Sequence, residues 1–103
     1  MTERDRRAAE NETMWRALNE ADPPEPGRVA FVFCECGHGG CSEQLSISWR
    51  DYELVRADAA RFVLVPGHED LRLERVVGGE EGFVVVEKQG DAAAIAERTD
   101  PRS

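Results

Sequence analysis

The sequence predicts an α+β fold: a small, mainly antiparallel sheet of about four or five strands carrying a zinc knuckle, with an N-terminal helix and one or two further helices. Three observations predict it. Short apolar runs at residues 29–33, 45–49, 61–65 and 83–86 are bounded by turn residues. Alanine-containing stretches free of glycine and proline lie near both ends of the chain. Between them, Cys34-Glu35-Cys36-Gly37-His38-Gly39-Gly40-Cys41 gathers all three cysteines, one of the two histidines and three of the nine glycines into eight residues.

At 103 residues the chain has the size of one domain, long enough for a modest core and small enough to benefit from a metal staple. Its charged fraction is 33% and its net charge −8. Such a surface repels nucleic-acid phosphates and anionic lipid, so neither nucleic acid nor membrane is an expected partner. The basic residues are scattered among acids, and no apolar run approaches a membrane span. The start of the chain has no apolar core of a secretory leader, which points to a cytoplasmic protein with reduced thiols.

Residues 3–21 read as a helix within an N-terminal segment 1–22, with Met14, Trp15 and Leu18 as a narrow apolar stripe. If that stripe finds no place in its own domain, it is where a protein partner or a second copy would bind. Asp22-Pro23-Pro24-Glu25-Pro26-Gly27 ends the helix, because proline lacks the N–H and restricts the residue before it; residues 23–27 form a stiff linker to a domain spanning 28–98, with a tail at 99–103.

The first strand, 28–34, is apolar at every position from Val29 to Cys34 and so belongs in a sheet interior. Leu45, Ile47 and Trp49 alternate with Ser46 and Ser48, the pattern of a half-buried strand. Ser48 is placed to cap a following helix, with Asp51 three residues on, and Tyr52, Val55 and Ala59 share its face. A third strand spans about 61–65. Residues 71–77 fit helix and strand in part; strand is preferred, because Gly79-Glu80-Glu81-Gly82 before Phe83–Val86 reads as a hairpin with a four-residue loop. Gly90 stops that strand, and Asp91 caps a last short helix through Arg98.

The cysteine cluster suits a metal. In extended backbone residues i and i+2 point the same way, so Cys34 and Cys36 present both sulfurs on one side. Gly37, Gly39 and Gly40 permit positive φ and return Cys41 towards them. Three converging thiolates repel one another unless a cation lies between them, and structural zinc takes four nitrogen or sulfur ligands. Two histidines are candidates for the fourth. His38 would crowd four ligands into one eight-residue loop. His68, after the 61–65 run and the Pro66-Gly67 turn, reaches the same end of the sheet and is preferred.

Phe33-Cys34-Glu35-Cys36, Cys41, Asp51-Tyr52-Glu53-Leu54-Val55-Arg56-Ala57-Asp58, Arg61-Phe62 and Pro66-Gly67-His68-Glu69 together resemble a family of small, largely uncharacterised actinobacterial proteins. The resemblance runs from Asn11-Glu12 and Arg16–Glu20 to Val85-Val86-Glu87-Lys88. It implies Cys34, Cys36, Cys41 and His68 as the ligand set for Zn2+, and it implies no reaction.

Competing chemistry is weaker. Cys41 with His68 could be drawn as a catalytic thiol pair, but three clustered cysteines are then unexplained. A Cys36–Cys41 disulfide is conceivable, yet reduced thiols suit the compartment better. The spacing matches no ferredoxin pattern, and no nucleophile elbow surrounds Ser42, Ser46 or Ser48. Glu35 and Glu43 read as solvated side chains flanking the ligands, Glu69 and Asp70 as turn carboxylates. Three function classes follow: a non-enzymatic module with structural zinc and a protein partner, a redox- or zinc-responsive thiol switch, and a zinc-dependent enzyme. The first is preferred.

Overall fold

The computed structural model describes residues 3–101 apart from 22, 26, 27 and 39; the roles expected of Asp22, Pro26, Gly27 and Gly39 fall outside the described residues. The fold is α+β as expected. Helix α1 (Glu3–Glu20) precedes β1 (Val29–Phe33), β2 (Gln44–Ser48), α2 (Trp49–Arg56), β3 (Arg61–Leu64), β4 (Glu74–Glu80), β5 (Phe83–Lys88) and α3 (Gly90–Arg98). All strand pairs are antiparallel, and the five strands divide between two sheets, β1-β2 and β3-β5-β4.

The division changes the reading of β1. Among the described residues it pairs with β2 alone, from Val29 opposite Ser48 to Phe33 opposite Gln44. Ala30 and Val32 are buried, but Val29 and Phe31 are 61% and 73% exposed, so β1 is half-buried and not interior. A continuous apolar run indicates burial on both faces only where both faces are covered, and here the inner face alone meets the core. β2 behaves as its alternation requires, with Leu45 and Ile47 inside and Ser46 outside.

Ser48 caps α2: its hydroxyl accepts the Asp51 N–H at 3.1 Å. The helix therefore begins at Trp49, which the alternation had placed on the strand, and it ends at Arg56, short of Ala59. Trp49 is still buried, stacked on Tyr52 at 5.0 Å. Residues 71–73 form a turn and β4 starts at Glu74. Glu80 pairs with Phe83, so the hairpin turn is the two residues Glu81-Gly82 and not four. Gly79, expected in that loop, is a strand residue at φ 144°, where a Cβ would lie 2.7 Å from the Phe83 carbonyl oxygen. α3 begins at Gly90, with Gln89 at its N-cap and no side-chain cap bond. Asp91 sits in the first turn, where its charge meets the positive end of the helix dipole.

The core has two parts. Ala30, Val32, Leu45, Ile47, Trp49, Tyr52, Val55, Val63 and Phe83 join the two sheets under α2. Cys34, Cys36, Phe62, Leu64, Val86 and Ala96 form the second part, between the knuckle, β3, β5 and α3. Among the described residues neither part takes a side chain from α1.

Polar groups dock α1 instead. Arg16 is fully buried: Nη1 donates to the Ala59 carbonyl at 2.8 Å, Nη2 to the Ala96 carbonyl at 3.2 Å, and the guanidinium lies 4.2 Å above the Phe62 ring. Buried Lys88 is ion-paired with Glu12 and, at 3.1 Å, with Glu74. Arg56 joins Glu20, at 2.5 Å, and Asp100. Met14 and Leu18 of the expected stripe are 46% and 50% exposed, and only Trp15 is half-buried, tilted against Phe33 at 4.7 Å. No helix among the described residues is long and apolar enough to cross a membrane.

Candidate metal centre

Cys34, just past β1, extends the ladder by one residue, its N–H donating to the Glu43 carbonyl at 2.8 Å. The next N–H, from Glu35, donates to the Val63 carbonyl of β3 at 2.9 Å. The chain thus passes from one sheet to the other within two residues. Cys34 and Cys36 point to one side, both buried, and Glu35 points to the other. Gly40, at φ 82°, turns the loop back and the Cys41 N–H donates to the His38 carbonyl at 3.2 Å; Gly37 has no positive φ. No disulfide links these cysteines.

β3 delivers the histidine. After Leu64, the Val65 N–H points at Cys34 Sγ from 3.1 Å, and Gly67, at φ 95°, closes a turn in which the His68 N–H donates to the Val65 carbonyl. Glu69 accepts the Gly67 N–H at 2.8 Å, and Asp70 accepts the Arg72 N–H and guanidinium, so both serve as turn carboxylates.

Four ligand-capable atoms, one each from Cys34, Cys36, Cys41 and His68, lie within 4.8 Å of one another. His68 Nδ1 is 3.6 Å from both Cys34 Sγ and Cys41 Sγ. Zinc bonds of about 2.3 Å to sulfur and about 2.0–2.1 Å to nitrogen, at a tetrahedral angle, require a separation of about 3.6 Å. The two separations from His68 Nδ1 suit that shell, and the four residues form a cluster able to hold a metal ion. His68 Nε2 lies 2.9 Å from Glu43 Oε2, a carboxylate that orients the ring and leaves Nδ1 facing the sulfurs. His38 is outside the cluster; its Nε2 donates to the His68 carbonyl at 3.0 Å, so it braces the histidine turn from an exposed position.

The sulfurs compete for protons among themselves. The Cys36 thiol, with the Val65 N–H, holds Cys34 below the ordinary thiol range against the opposing effect of burial. Cys36 is pushed up by that same bond and by burial, and Cys41 is raised chiefly by burial. A divalent cation among them removes this competition by binding all three as thiolates.

Glu35 departs most from expectation. It is not solvated but fully buried: Oε2 accepts the Tyr52 hydroxyl at 2.6 Å and Asn19 Nδ2 at 3.0 Å, and Oε1 accepts the Val63 N–H at 3.1 Å. Burial raises its pKa, with the three hydrogen bonds opposing. The same period of two that pairs the flanking sulfurs turns Glu35 inward, and that signal was available from the sequence. Tyr52 was marked as a helix-face residue by its spacing with Val55, but no spacing pointed to it or to Asn19 as a partner of Glu35. Glu43, by contrast, is exposed and flanks the cluster as expected, with the His68 ring as its partner.

No family model, curated protein or solved structure matches the chain. None of these comparisons supports the resemblance to the actinobacterial family. What geometry adds is the convergence of three cysteines and one histidine, a cluster able to hold a metal ion.

Proposed function

We propose that this chain is a non-enzymatic zinc-binding module in which Cys34, Cys36, Cys41 and His68 hold a structural Zn2+. The observation that carries the reading is the 3.6 Å spacing of His68 Nδ1 from two of the three gathered sulfurs. Four protein ligands complete a tetrahedral shell, which leaves no position for the water or substrate that catalytic zinc needs. The ion would also join the two sheets, since three ligands follow β1 and the fourth follows β3. The exposed Met14 and Leu18 on α1 supply an apolar contact for a protein partner.

Metal content per chain, measured with the free-thiol count before and after a chelator, tests this. The expected result is one zinc per chain and three thiols that react only after chelation. Metal-free purified protein that stays so on reconstitution, with three freely reactive thiols, would overturn it. A thiol switch is the second reading, favoured by the partial exposure of Cys41. It requires zinc release and disulfide formation at oxidant levels that leave the rest folded, whereas structural zinc survives mild oxidant.

A further inference from the structure

We propose that Asn19 and Glu35 are positioning residues of the metal centre, through which docking of α1 and metal binding at Cys34, Cys36, Cys41 and His68 strengthen one another. The inference rests on the zinc reading and names how that site is tied to the rest of the molecule.

One side chain carries the link. Asn19 Oδ1 accepts the Phe33 N–H at 2.8 Å, and its Nδ2 donates both to the Phe33 carbonyl at 3.0 Å and to Glu35 Oε2 at 3.0 Å. Asn19 thus pairs with the backbone of Phe33 as a neighbouring strand would, and at the same time grips the carboxylate between two of the ligands. With Phe33 and Glu35 both held, the intervening Cys34 has little freedom in φ and ψ, and the direction of its Cβ follows from that backbone. Tyr52 from α2 and Val63 from β3 hold the same carboxylate, so Glu35 gathers α1, α2 and β3 behind the knuckle.

The link works in reverse. A metal that fixes Cys34 and Cys36 keeps Phe33 and Glu35 presented to Asn19. α1 depends on such contacts, because the described core draws no side chain from it and most helical stability in a folded protein comes from tertiary packing. Two equilibria that share these hydrogen bonds must be coupled by the same factor in both directions.

The test uses the full chain and Zn2+ or Co2+ alone, in competition with a chromophoric chelator. Asn19→Ala is expected to bind metal about 10- to 100-fold more weakly than wild type, while its Co2+ form keeps the thiolate charge-transfer and tetrahedral d–d bands. Ile47→Val, which trims the other core cluster away from α1 and the knuckle, serves as the stability control and should bind as wild type does. Hydrogen exchange on the wild type gives a second readout that needs no variant. Chelation should release the amides of α1 while those of β3 and β5 stay protected. Equal affinity in wild type and Asn19→Ala, an equal loss in Ile47→Val, unchanged α1 exchange on chelation, or loss of protection throughout the chain at once would each overturn the coupling. If wild type binds no metal, the zinc reading falls and takes the coupling with it; if wild type binds and Asn19→Ala binds equally, the coupling alone falls.

Discussion

Tyr52→Phe isolates one hydrogen bond at the centre of the molecule. The Tyr52 hydroxyl donates to Glu35 Oε2 at 2.6 Å, and both residues have no exposed surface. The substitution keeps the ring stacked on Trp49 and removes only the oxygen. Glu35 Oε2 would retain Asn19 Nδ2, and Oε1 the Val63 N–H, so the carboxylate loses one of three donors. A hydrogen bond to a charged group contributes about 1.5–3 kcal/mol, and both partners are buried away from the surface. The expected cost is about 2 kcal/mol. In a chain of 103 residues that lowers Tm by on the order of 10 °C. Urea unfolding at saturating Zn2+ measures it, as a lower midpoint with an unchanged slope. A double-mutant cycle with Glu35→Gln assigns the loss to this pair. If Tyr52→Phe costs less than about 0.5 kcal/mol, the carboxylate is not held by that hydroxyl and the description of Glu35 as the hub of the fold is wrong.

Four other outcomes are expected. His68→Ala should abolish tight zinc binding, whereas His38→Ala, which removes only a brace on the His68 carbonyl, should weaken it by about tenfold or less; competition titration separates the two. Burial raises Glu12 from 4.5 to about 7, and Lys88 can balance only one of its two carboxylate neighbours. Because the folded pKa exceeds the unfolded one, the stability contributed by Glu12 is complete below about pH 4.5 and is lost as pH rises through about 7. Wild type measured against Glu12→Gln by urea unfolding at pH 5 to 8 should therefore decline with pH, by on the order of 3 kcal/mol in all; a flat difference would refute it. Ile47→Ala, at a site 3% exposed, should cost about 2–5 kcal/mol, and Phe31→Ala, at a site 73% exposed, less than about 1 kcal/mol. Gly79→Ala should cost about 1–3 kcal/mol or more, since its Cβ meets the Phe83 carbonyl, and should exceed Gly82→Ala, where the added atom meets open space; thermal melts order the pair.

Much of the fold was legible because it follows from local chemistry. The alternation of Leu45 and Ile47 with Ser46, the Ser48 cap and the Pro66-Gly67 turn are each decided within a few residues, and each appears in the structure, whereas Trp49, the last residue of that alternation, opens the helix. The cysteine cluster was legible for the same reason, since period two and glycine turns act over eight residues. Placing His68 beside it needed only the guess that β3 ends near β1. Errors arose where the neighbours decide. Val29 and Phe31 read as interior because nothing in the run reveals that the β1-β2 sheet has only one covered face. Gly79 read as a loop residue because the close approach of the Phe83 carbonyl is a cross-strand contact.

The docking of α1 failed for a deeper reason. Periodicity finds helix faces by assuming that apolar side chains go inward, and in this helix the assumption is inverted. Arg16, Glu12 and Asn19 face the protein, while Met14 and Leu18 face solvent. Burying a guanidinium is tolerable only where carbonyls and an aromatic ring receive it, and the Ala59 and Ala96 carbonyls and the Phe62 ring come from three other parts of the chain. No window of sequence around residue 16 contains them. A helix held in this way gains little from non-directional apolar contact and much from the placement of each donor and acceptor. Its attachment therefore responds to small displacements at the far end of a hydrogen bond, and for Asn19 that far end is the loop that carries the cysteines.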